Sequence, residues 1–310
     1  MKIDIAICTW NRARLLADTL ESISWATLPE GVPVRIIVVD NNSTDDTSER
    51  VRAFENSLVT KRSSSSPLSV KLVAEPQQGH TYSRNRAIAV ADSDLLLWTD
   101  DDVSVDSNWV MSYFDAARRE PAQSFWGGKI IPRFAEKKPD WIADNWESLK
   151  GCFAERDLGN DKIPLSANQL PYGANFAVRT DVQKQFLYNV ELGRRENSVL
   201  GEDEIDMFQK LLEAGHRGSW VPESSLHHII ESERATETYV YQYFVGQGRA
   251  LVEKGEPWTT SFRKLNWQRV YEYVAFRFKR QWAASPAWVA HLIRSGLAEG
   301  QYLALKSSSS

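Results

Sequence analysis

The chain has few of the features that mark secreted, membrane-spanning or nucleic-acid-binding proteins. Its 310 residues include two cysteines, Cys8 and Cys152, whose spacing forms no metal-binding motif and whose scarcity predicts a reducing compartment. No stretch reaches the about eighteen uncharged apolar residues that span a bilayer, and Met1–Ile5 lacks the apolar run of a signal peptide. A net charge of −4 gives no general case for nucleic acid as a partner. We therefore expect a cytoplasmic protein.

Charge is distributed unevenly along the chain. Residues 261–310 contain eight Lys or Arg and two Glu, although the whole chain is acidic. A chain of this length can bury a full α/β core and carry an appendage besides. The basic composition predicts that this C-terminal segment presents a different kind of surface from the rest.

Apolar runs and helical patterns alternate through the first hundred residues. The runs Ile3–Cys8, Val34–Val39, Val70–Ala74 and Leu95–Trp98 have the length of buried strands, and the segments between them have helical spacing. This alternation predicts a parallel sheet with right-handed crossovers. Each strand ends in polar residues, which should therefore meet at one edge of the sheet, where ligands bind in open α/β folds.

Three successive carboxylates follow the fourth strand, at Asp100, Asp101 and Asp102. Carboxylates so close together repel by roughly 1 to 4 kcal/mol per pair unless a positive charge joins them. A divalent cation suits such a site, because Mg²⁺ binds through one or two carboxylates and substrate phosphates. The alternative is a solvated acidic loop or a helix cap.

Polar residues after other elements have two interpretations each. Asp40 is either an ordinary turn residue or a hydrogen-bond acceptor for the N–H of a nucleotide base at the sheet edge. Arg84 and Arg86 are solvated helix charges or contacts to phosphate, which guanidinium geometry suits. None of these residues decides the function alone.

A second acidic cluster opens a helix at Leu200–Asp206. Carboxylates in a first turn are favoured by the helix dipole, worth about 0.3 to 1 kcal/mol each. Four of them exceed what a helix start needs, so Asp203 is a candidate general base.

Two adjacent histidines, His227 and His228, lie on a predicted strand. Neighbouring strand residues point to opposite faces, so at most one of them can face a given site. Imidazole can bind Mn²⁺ beside carboxylates, although a lone histidine is more often structural. We favour His227 as the ligand.

Beyond residue 235 the pattern is helical. The helix Tyr239–Leu251 contains Gly246 and Gly248, which could form a hinge that brings Arg249 to a ligand or could mark a packing contact. A later apolar stripe has arginines around it and fits either a core helix or an interfacial helix on anionic lipid. Its members are Val270, Tyr271, Val274, Phe278 and Trp282.

Six short motifs, in this order and spacing, resemble those of family 2 glycosyltransferases of the GT-A fold. The motifs are Cys8–Arg12, Val38–Ser43, Tyr82–Arg86, Thr99–Asp102, Gly173–Asn175 and Gly201–Glu204. The resemblance runs from about residue 3 to about residue 230. It implies an α/β, Rossmann-like, mostly parallel sheet flanked by helices. It also implies a nucleotide-sugar-binding catalytic domain at residues 1–235, followed by a C-terminal helical region at residues 236–310.

The resemblance also implies roles for single residues. Thr9 and Asp40 would hold the nucleotide base, Arg84 would lie near the nucleotide, and Asn11 and Arg12 belong to the same motif-defined site. Asp100 would lie near ribose and Asp102 on the metal. Asp100 and His227 are further candidate metal ligands, and Asp101 is an alternative to Asp102. Asp203 matches the catalytic base, with Glu202 and Glu204 in support.

The chemistry implied by the resemblance is inverting transfer from a nucleoside-diphosphate sugar, with a UDP-sugar favoured, assisted by Mn²⁺ or Mg²⁺. The acceptor would be a hydroxyl of a glycan or a lipid-linked saccharide, as in polysaccharide biosynthesis. In that case the basic aromatic helices could contact the inner face of the membrane. Two alternatives remain, a catalytically silent nucleotide-sugar-binding scaffold and a glycoside hydrolase, which also uses two carboxylates.

Overall fold

The computed structural model describes residues 1–61, 67–192, 202–259, 261–282 and 286–307. The chain divides into two compact units. The first contains the described residues of Met1–Arg133, Ala154–Arg194 and Gly201–Ile229, and the second those of Phe134–Phe153 and Ile230–Ser310. The predicted domain division near residue 235 stays a prediction.

The first four strands form the parallel part of an eight-stranded sheet. They are β1 (Ile3–Thr9), β2 (Val34–Asp40), β3 (Leu68–Ala74) and β4 (Leu95–Thr99), in the spatial order β3-β2-β1-β4. All three pairings among them are parallel. The four strands predicted from apolar runs are thereby confirmed, and every residue of β4 is buried.

The other four strands make the sheet mixed. They are β5 (Val103–Val105), β6 (Phe125–Phe134), β7 (Phe176–Arg179) and β8 (Gly218–Ile230), and they continue the order as β7-β6-β8-β5. The pairs β4–β7, β6–β7 and β5–β8 are antiparallel. The predicted α/β fold is confirmed. In its antiparallel half, the pairing of β5 with β8 places the residues after the aspartates beside the two histidines.

Helices cover both faces of the sheet. One face packs against α1 (Ala13–Trp25), α2 (Thr47–Lys61) and α4 (Trp109–Arg119), and the other against α3 (His80–Val90) and α8 (Glu202–Glu213). Strand side chains alternate accordingly, because Ile5 and Ile7 join the first core and Ala6 joins the second. Three helices of four residues complete the connections, namely α5 (Asp140–Ala143), α6 (Trp146–Leu149) and α7 (Thr180–Gln183).

The second unit contains three long helices, α9 (Glu237–Glu253), α10 (Phe262–Trp282) and α11 (Val289–Ser307). Gly248 and Gly300 lie where α9 and α11 approach closely, since a Cβ on either would overlap the backbone of the other helix. Helix α9 runs without a break through Gly246 and Gly248. The packing interpretation is therefore confirmed for Gly248, and the hinge interpretation stays a prediction.

The predicted apolar stripe of α10 lies on an exposed face. Val270, Tyr271, Val274 and Phe278 are all exposed, so the expectation of a core stripe is wrong for them. The Trp282 side chain lies outside the described residues. Among the helices described here, none combines the length and the hydropathy needed to cross a bilayer.

Candidate active site

The predicted polar residues meet at the carboxyl ends of β1, β2 and β4. Thr9 is the last residue of β1 and is in register with Asp40 at the end of β2, while Thr99 at the end of β4 is in register with Ile7. Because these strands are parallel, the residues that follow them emerge at the same edge. The three aspartates after β4 therefore lie beside the loop after β1.

Arg12 joins two of the three aspartates. Its Nη1 donates to Asp101 Oδ1 and to Asp102 Oδ2, both at 2.9 Å. Thr9 Oγ1 donates to Asp101 Oδ2 at 2.8 Å. Both carboxylates are almost fully buried, at 5% and 4% exposure. The guanidinium therefore supplies the positive charge that the acidic run was predicted to need.

The loop after β1 holds Arg12 in this position. Asn11 adopts the left-handed region with φ of 52°, which asparagine tolerates better than most residues. Its backbone N–H donates to Ser43 Oγ at 2.9 Å, and its Oδ1 accepts from the Thr44 N–H at 2.7 Å. Asn11 thus ties the β1 loop to the β2 loop and turns the chain toward the aspartates.

Burial and charge shift the pKa values in this group. Burial raises the pKa of Asp101 to about 6, against the effect of Arg12 and with a further contribution from Asp102. Burial alone would lower the pKa of Arg12, but the two carboxylates outweigh it and raise that pKa above its ordinary value. The favoured state at neutral pH is a charged guanidinium between carboxylates.

Of the two histidines, His228 faces the aspartates. His228 Nε2 lies 3.3 Å from Asp102 Oδ1, whereas His227 Nε2 lies 3.4 Å from Asp106 Oδ1. The register of β5 with β8 pairs His228 with Val103, next to Asp102 in the chain. The structure therefore brings together Asp102 and His228, and not the favoured His227. The described residues contain no group of three His, Cys, Asp or Glu side chains arranged to hold a metal.

Asp40 is used by its own turn. Its Oδ1 accepts from the Ser43 N–H at 2.9 Å, and its Oδ2 lies 3.4 Å from Ser48 Oγ. The side chain is half-buried, so it retains a surface toward solvent. These contacts agree with the interpretation of Asp40 as a turn residue. Binding of a nucleotide base by Asp40 stays a prediction.

Arg84 is buried in a cluster on the other side of the sheet edge. Its guanidinium pairs with Glu204 and lies over the rings of Tyr188 and Trp98, 4.9 and 5.6 Å from their centroids. Glu204 Oε2 also accepts from the Gly173 N–H at 3.0 Å. A Cβ at residue 173 would overlap the ion pair, so glycine is required there. Arg84 is therefore not a solvated helix charge, and a contact between Arg84 and a phosphate stays a prediction.

Asp203 is fully buried beside this ion pair. Within the described part of the chain, neither of its carboxylate oxygens has a hydrogen-bond partner. Asp203 lies in the first turn of α8, whose dipole favours an anion there. Its charge reaches Arg84, Tyr188 and Cys8. The side chain of Glu202 lies outside the described residues.

Cys8 lies between the two halves of the site. The charges of Arg84, Asp100, Asp101 and Asp203 all act on its thiol, and burial raises its pKa to about 12. The Cys8 thiol is therefore protonated at neutral pH. Asp100 is half-buried, and its charge acts on Arg84 as well as on Cys8.

The sequence patterns did not identify Tyr188 and did not assign a role to Asn175. Tyr188, which covers Arg84, comes from an irregular segment with no motif to mark it. Asn175 was noted within a motif, and the structure gives it a packing role. Its Oδ1 accepts from Trp109 Nε1 and Tyr113 OH, and its Nδ2 donates to two backbone carbonyls, with all four distances between 2.7 and 2.9 Å.

Comparison with known proteins decides the family. Residues 4–170, more than half of the chain, match the family described as Glycosyl transferase family 2. The chain belongs to glycosyl transferase family 2. The predicted family is confirmed, and this family 2 glycosyltransferase takes its sugar from a nucleotide-sugar. The glycoside hydrolase interpretation is wrong.

Curated relatives of this family 2 glycosyltransferase extend beyond the matched segment. It is 26% identical over 262 residues to the succinoglycan biosynthesis protein ExoM of Rhizobium meliloti, covering 82% of this chain and 76% of the relative. It is 23% identical over 253 residues to the glucosyl-dolichyl phosphate glucuronosyltransferase of Haloferax volcanii, covering 79% and 74%.

Solved structures share the fold. S. aureus TarS 1-349 in complex with UDP superposes with a TM-score of 0.57 at 14% identity, covering 100% of this chain and 91% of TarS 1-349. The mannosyltransferase PcManGT from Pyrobaculum calidifontis, in complex with GDP-Man and Mn²⁺, gives a TM-score of 0.57 at 15% identity, covering 99% and 86%. The predicted GT-A fold is confirmed.

Proposed function

We propose that this family 2 glycosyltransferase moves a sugar from a nucleoside-diphosphate sugar to an acceptor hydroxyl with inversion, using Asp203 as the general base. The observation that carries the proposal is a fully buried carboxylate whose two oxygens have no hydrogen-bond partner among the described residues. A buried polar group normally has a partner, so an unpartnered one calls for a functional explanation. An acceptor hydroxyl would supply the missing hydrogen bond.

The neighbours of Asp203 suit a general base. The positive end of α8 favours its anionic form, and the buried Arg84 guanidinium supplies a nearby positive charge. The proton of the acceptor hydroxyl passes to an Asp203 oxygen as the hydroxyl oxygen attacks the anomeric carbon from the face opposite the diphosphate. No covalent sugar–enzyme intermediate is needed, and the sugar configuration inverts.

Arg84 acts in this proposal as a positioning residue. It is 2% exposed, its Nη2 side pairs with Glu204, and the two rings lie against its guanidinium, whereas its Nη1 has no hydrogen-bond partner among the described residues. Glu204 follows Asp203 directly in α8, so the ion pair fixes the first turn of the helix. The general base therefore keeps its direction when the site is filled.

The potential metal ligands at the aspartates are few, so they fit a cation that needs only a small number of protein ligands. Asp102 and His228 offer an oxygen and an imidazole nitrogen, and Mg²⁺ or Mn²⁺ can complete its shell with water and phosphate oxygens. Asp101 would be the second carboxylate if Arg12 releases it. When bound, a divalent cation would neutralise the charge that grows on the departing diphosphate.

The charge of the site supports a cation. Asp100, Asp101, Asp102, Asp203 and Glu204 face two guanidiniums, those of Arg12 and Arg84. With every carboxylate ionised, three negative charges remain uncompensated, and a diphosphate would add to them. A divalent cation at Asp102 would reduce this repulsion and bind the donor at the same time.

The nature of the donor and acceptor follows from the relatives as part of the same proposal. UDP and GDP-Man with Mn²⁺ occur in the two solved structures, and we favour a UDP-sugar. Thr9, Asn11 and Asp40 line the edge where the base would bind. The relatives in succinoglycan biosynthesis and dolichyl phosphate glycosylation support a glycan or lipid-linked acceptor. We also propose a catalytic domain ending near residue 235 and a cytoplasmic location.

The proposal is tested by thermal unfolding with nucleoside diphosphates, with and without Mn²⁺. UDP or GDP at 100 times its Kd should stabilise the protein by about 2.7 kcal/mol, and Mn²⁺ should enlarge the shift. Asp102→Asn should abolish the Mn²⁺-dependent part, whereas Asp106→Asn, a neighbour outside the site, should keep it. Equal shifts with and without Mn²⁺ would contradict the cation, and the absence of any shift would contradict the donor.

A further inference from the structure

Helix α10 in the second unit has two apolar faces, and one of them is exposed. Leu265 and Phe276 on the inner face are buried, Phe276 in the core that includes Val289 and Leu292 of α11. On the opposite face lie four large residues with spacings of four, three and four, which form a single stripe. They are Trp267, Tyr271, Val274 and Phe278, exposed by 68%, 51%, 59% and 66%.

The stripe is long and continuous. From Trp267 to Phe278 it extends roughly 16 Å along the helix at about 1.5 Å per residue. Trp267 and Tyr271 stack with ring centroids 5.3 Å apart and planes at 8°, so the two rings form one continuous aromatic cluster. Val270 adds a further exposed apolar side chain beside them. Monomeric proteins rarely leave a contiguous patch of this kind facing water.

Cations flank the stripe without matching anions. Arg263, Lys264 and Arg277 are exposed and form no ion pair with any residue of the described ranges. The sole carboxylate of α10, Glu272, is buried and pairs with His291 and Arg294. The outer face of α10 therefore carries a net positive charge.

Basic and aromatic residues also share one hollow in this face. A shallow cavity of about 390 Å³ is lined by Arg263, Lys264, Trp267 and Gln268. Its two cations and its indole would accommodate an anionic group that sits at an apolar boundary. Trp and Tyr are the side chains that favour the level of lipid headgroups, because their rings are apolar and their tips are polar.

We propose that the outer face of α10 docks on the surface of an anionic lipid bilayer. Trp267, Tyr271, Val274 and Phe278 would enter the boundary between headgroups and acyl chains, and the flanking cations would contact lipid phosphates. A second copy of the chain is a poorer occupant, because a twofold contact would bring the same unpaired cations against each other. This inference does not depend on the proposed reaction.

Flotation of the full chain with lipid vesicles tests the apolar part of the proposal. The protein should bind vesicles that contain phosphatidylglycerol and bind phosphatidylcholine vesicles far less. Trp267→Ser with Phe278→Ser should reduce binding at least tenfold, since two large apolar side chains are lost. Trp25→Ser is the matched control, because Trp25 is 70% exposed and lies in the first unit.

Charge variants test the electrostatic part. Replacing Arg263, Lys264 and Arg277 by Gln should weaken binding roughly 100-fold, at about fivefold for each basic residue near an anionic surface. The matched control replaces the exposed Arg52, Lys71 and Arg118 by Gln and should bind as wild type. Added salt should release the wild-type protein.

Two outcomes would overturn the proposal. One is equal binding to both kinds of vesicle, or equal effects of the α10 and control variants. The other is a wild-type dimer in sedimentation velocity that Trp267→Ser with Phe278→Ser converts to monomer, without vesicle binding by either protein. That result would make the α10 face a contact between copies of the chain. Circular dichroism of each variant verifies that these exposed substitutions leave the fold intact.

Discussion

Replacing Arg84 by Met removes the guanidinium that pairs with Glu204 and keeps an unbranched side chain in place of the apolar stem. Glu204 and Asp203 would then be two adjacent buried carboxylates without their shared cation. Breaking a buried ion pair by removing one partner costs about 3 to 5 kcal/mol. The lost contacts with Trp98 and Tyr188 add on the order of 2 kcal/mol, because the rings and the cation are desolvated.

The consequence should be visible in thermal unfolding of the ligand-free protein. In a domain of 150 to 250 residues, each kcal/mol corresponds to roughly 2 to 4 °C in Tm. Arg84→Met should therefore lower the Tm of the first unit by at least about 10 °C, and Glu204→Gln should also lower it. The double variant should be more stable than the sum predicts, by about 1 to 3 kcal/mol, since the residues are in contact.

Arg50→Met is the control for this cycle. Arg50 pairs with Asp46 at 2.8 Å, but both side chains are more than half exposed, so the pair should contribute less than about 1 kcal/mol. If Arg84→Met unfolds at the same temperature as Arg50→Met, the ion pair does not hold the start of α8. Additive effects of the Arg84 and Glu204 substitutions would refute the coupling.

Three further predictions concern other parts of the molecule. Burial raises the pKa of Asp101 from 3.8 to about 6, so the folded protein binds a proton at Asp101 more tightly than the unfolded chain does. This proton stabilises the fold fully below about pH 4, and the stabilisation is lost as pH rises through about 6. Urea unfolding should therefore show metal-free wild type losing on the order of 3 kcal/mol relative to Asp101→Asn between pH 4 and 7, and a pH-independent difference would refute the assignment. Asn175→Ala should lower the unfolding free energy by at least about 3 kcal/mol in the same assay, because it removes four hydrogen bonds from the core, and a smaller loss would contradict its packing role. Gly300→Ala should destabilise the second unit by about 1 to 3 kcal/mol or more in calorimetry, since its Cβ overlaps the backbone of Val245, and an unchanged transition would contradict the close helix contact.

The strands and their common edge were predictable because their signals are local. Four apolar runs, each followed by polar residues, predict buried parallel strands. The parallel register of β1 and β2 then places Thr9 beside Asp40. The aspartates after β4 follow from the same rule. In the antiparallel half, β5 was not predictable, because its three residues carry no distinct pattern.

The contacts within the site depend on tertiary structure that no motif specifies. Strand parity states that His227 and His228 face opposite ways, but only the register of β8 against β5 decides that His228 meets Asp102. In the same way, the sequence around Arg84 also fits a solvated helix charge. Its burial follows from contacts with Glu204 of α8 and with Tyr188, which are distant in sequence. The exposed stripe of α10 has the same period as a core stripe, and periodicity alone cannot tell the two apart.

The central claim is that Asp203 removes the proton from the acceptor, and the most direct measurement separates turnover from donor binding in Asp203→Asn. Nucleoside diphosphate release from a UDP- or GDP-sugar measures turnover, with water as acceptor, and the ligand-induced Tm shift measures binding. Asp203→Asn should lower turnover by about 10² to 10⁴-fold with donor binding retained. Asp206→Asn, in the same helix and paired with Lys210, should behave as wild type. Equal turnover of the two variants, or parallel loss of binding and turnover in Asp203→Asn, would contradict the account.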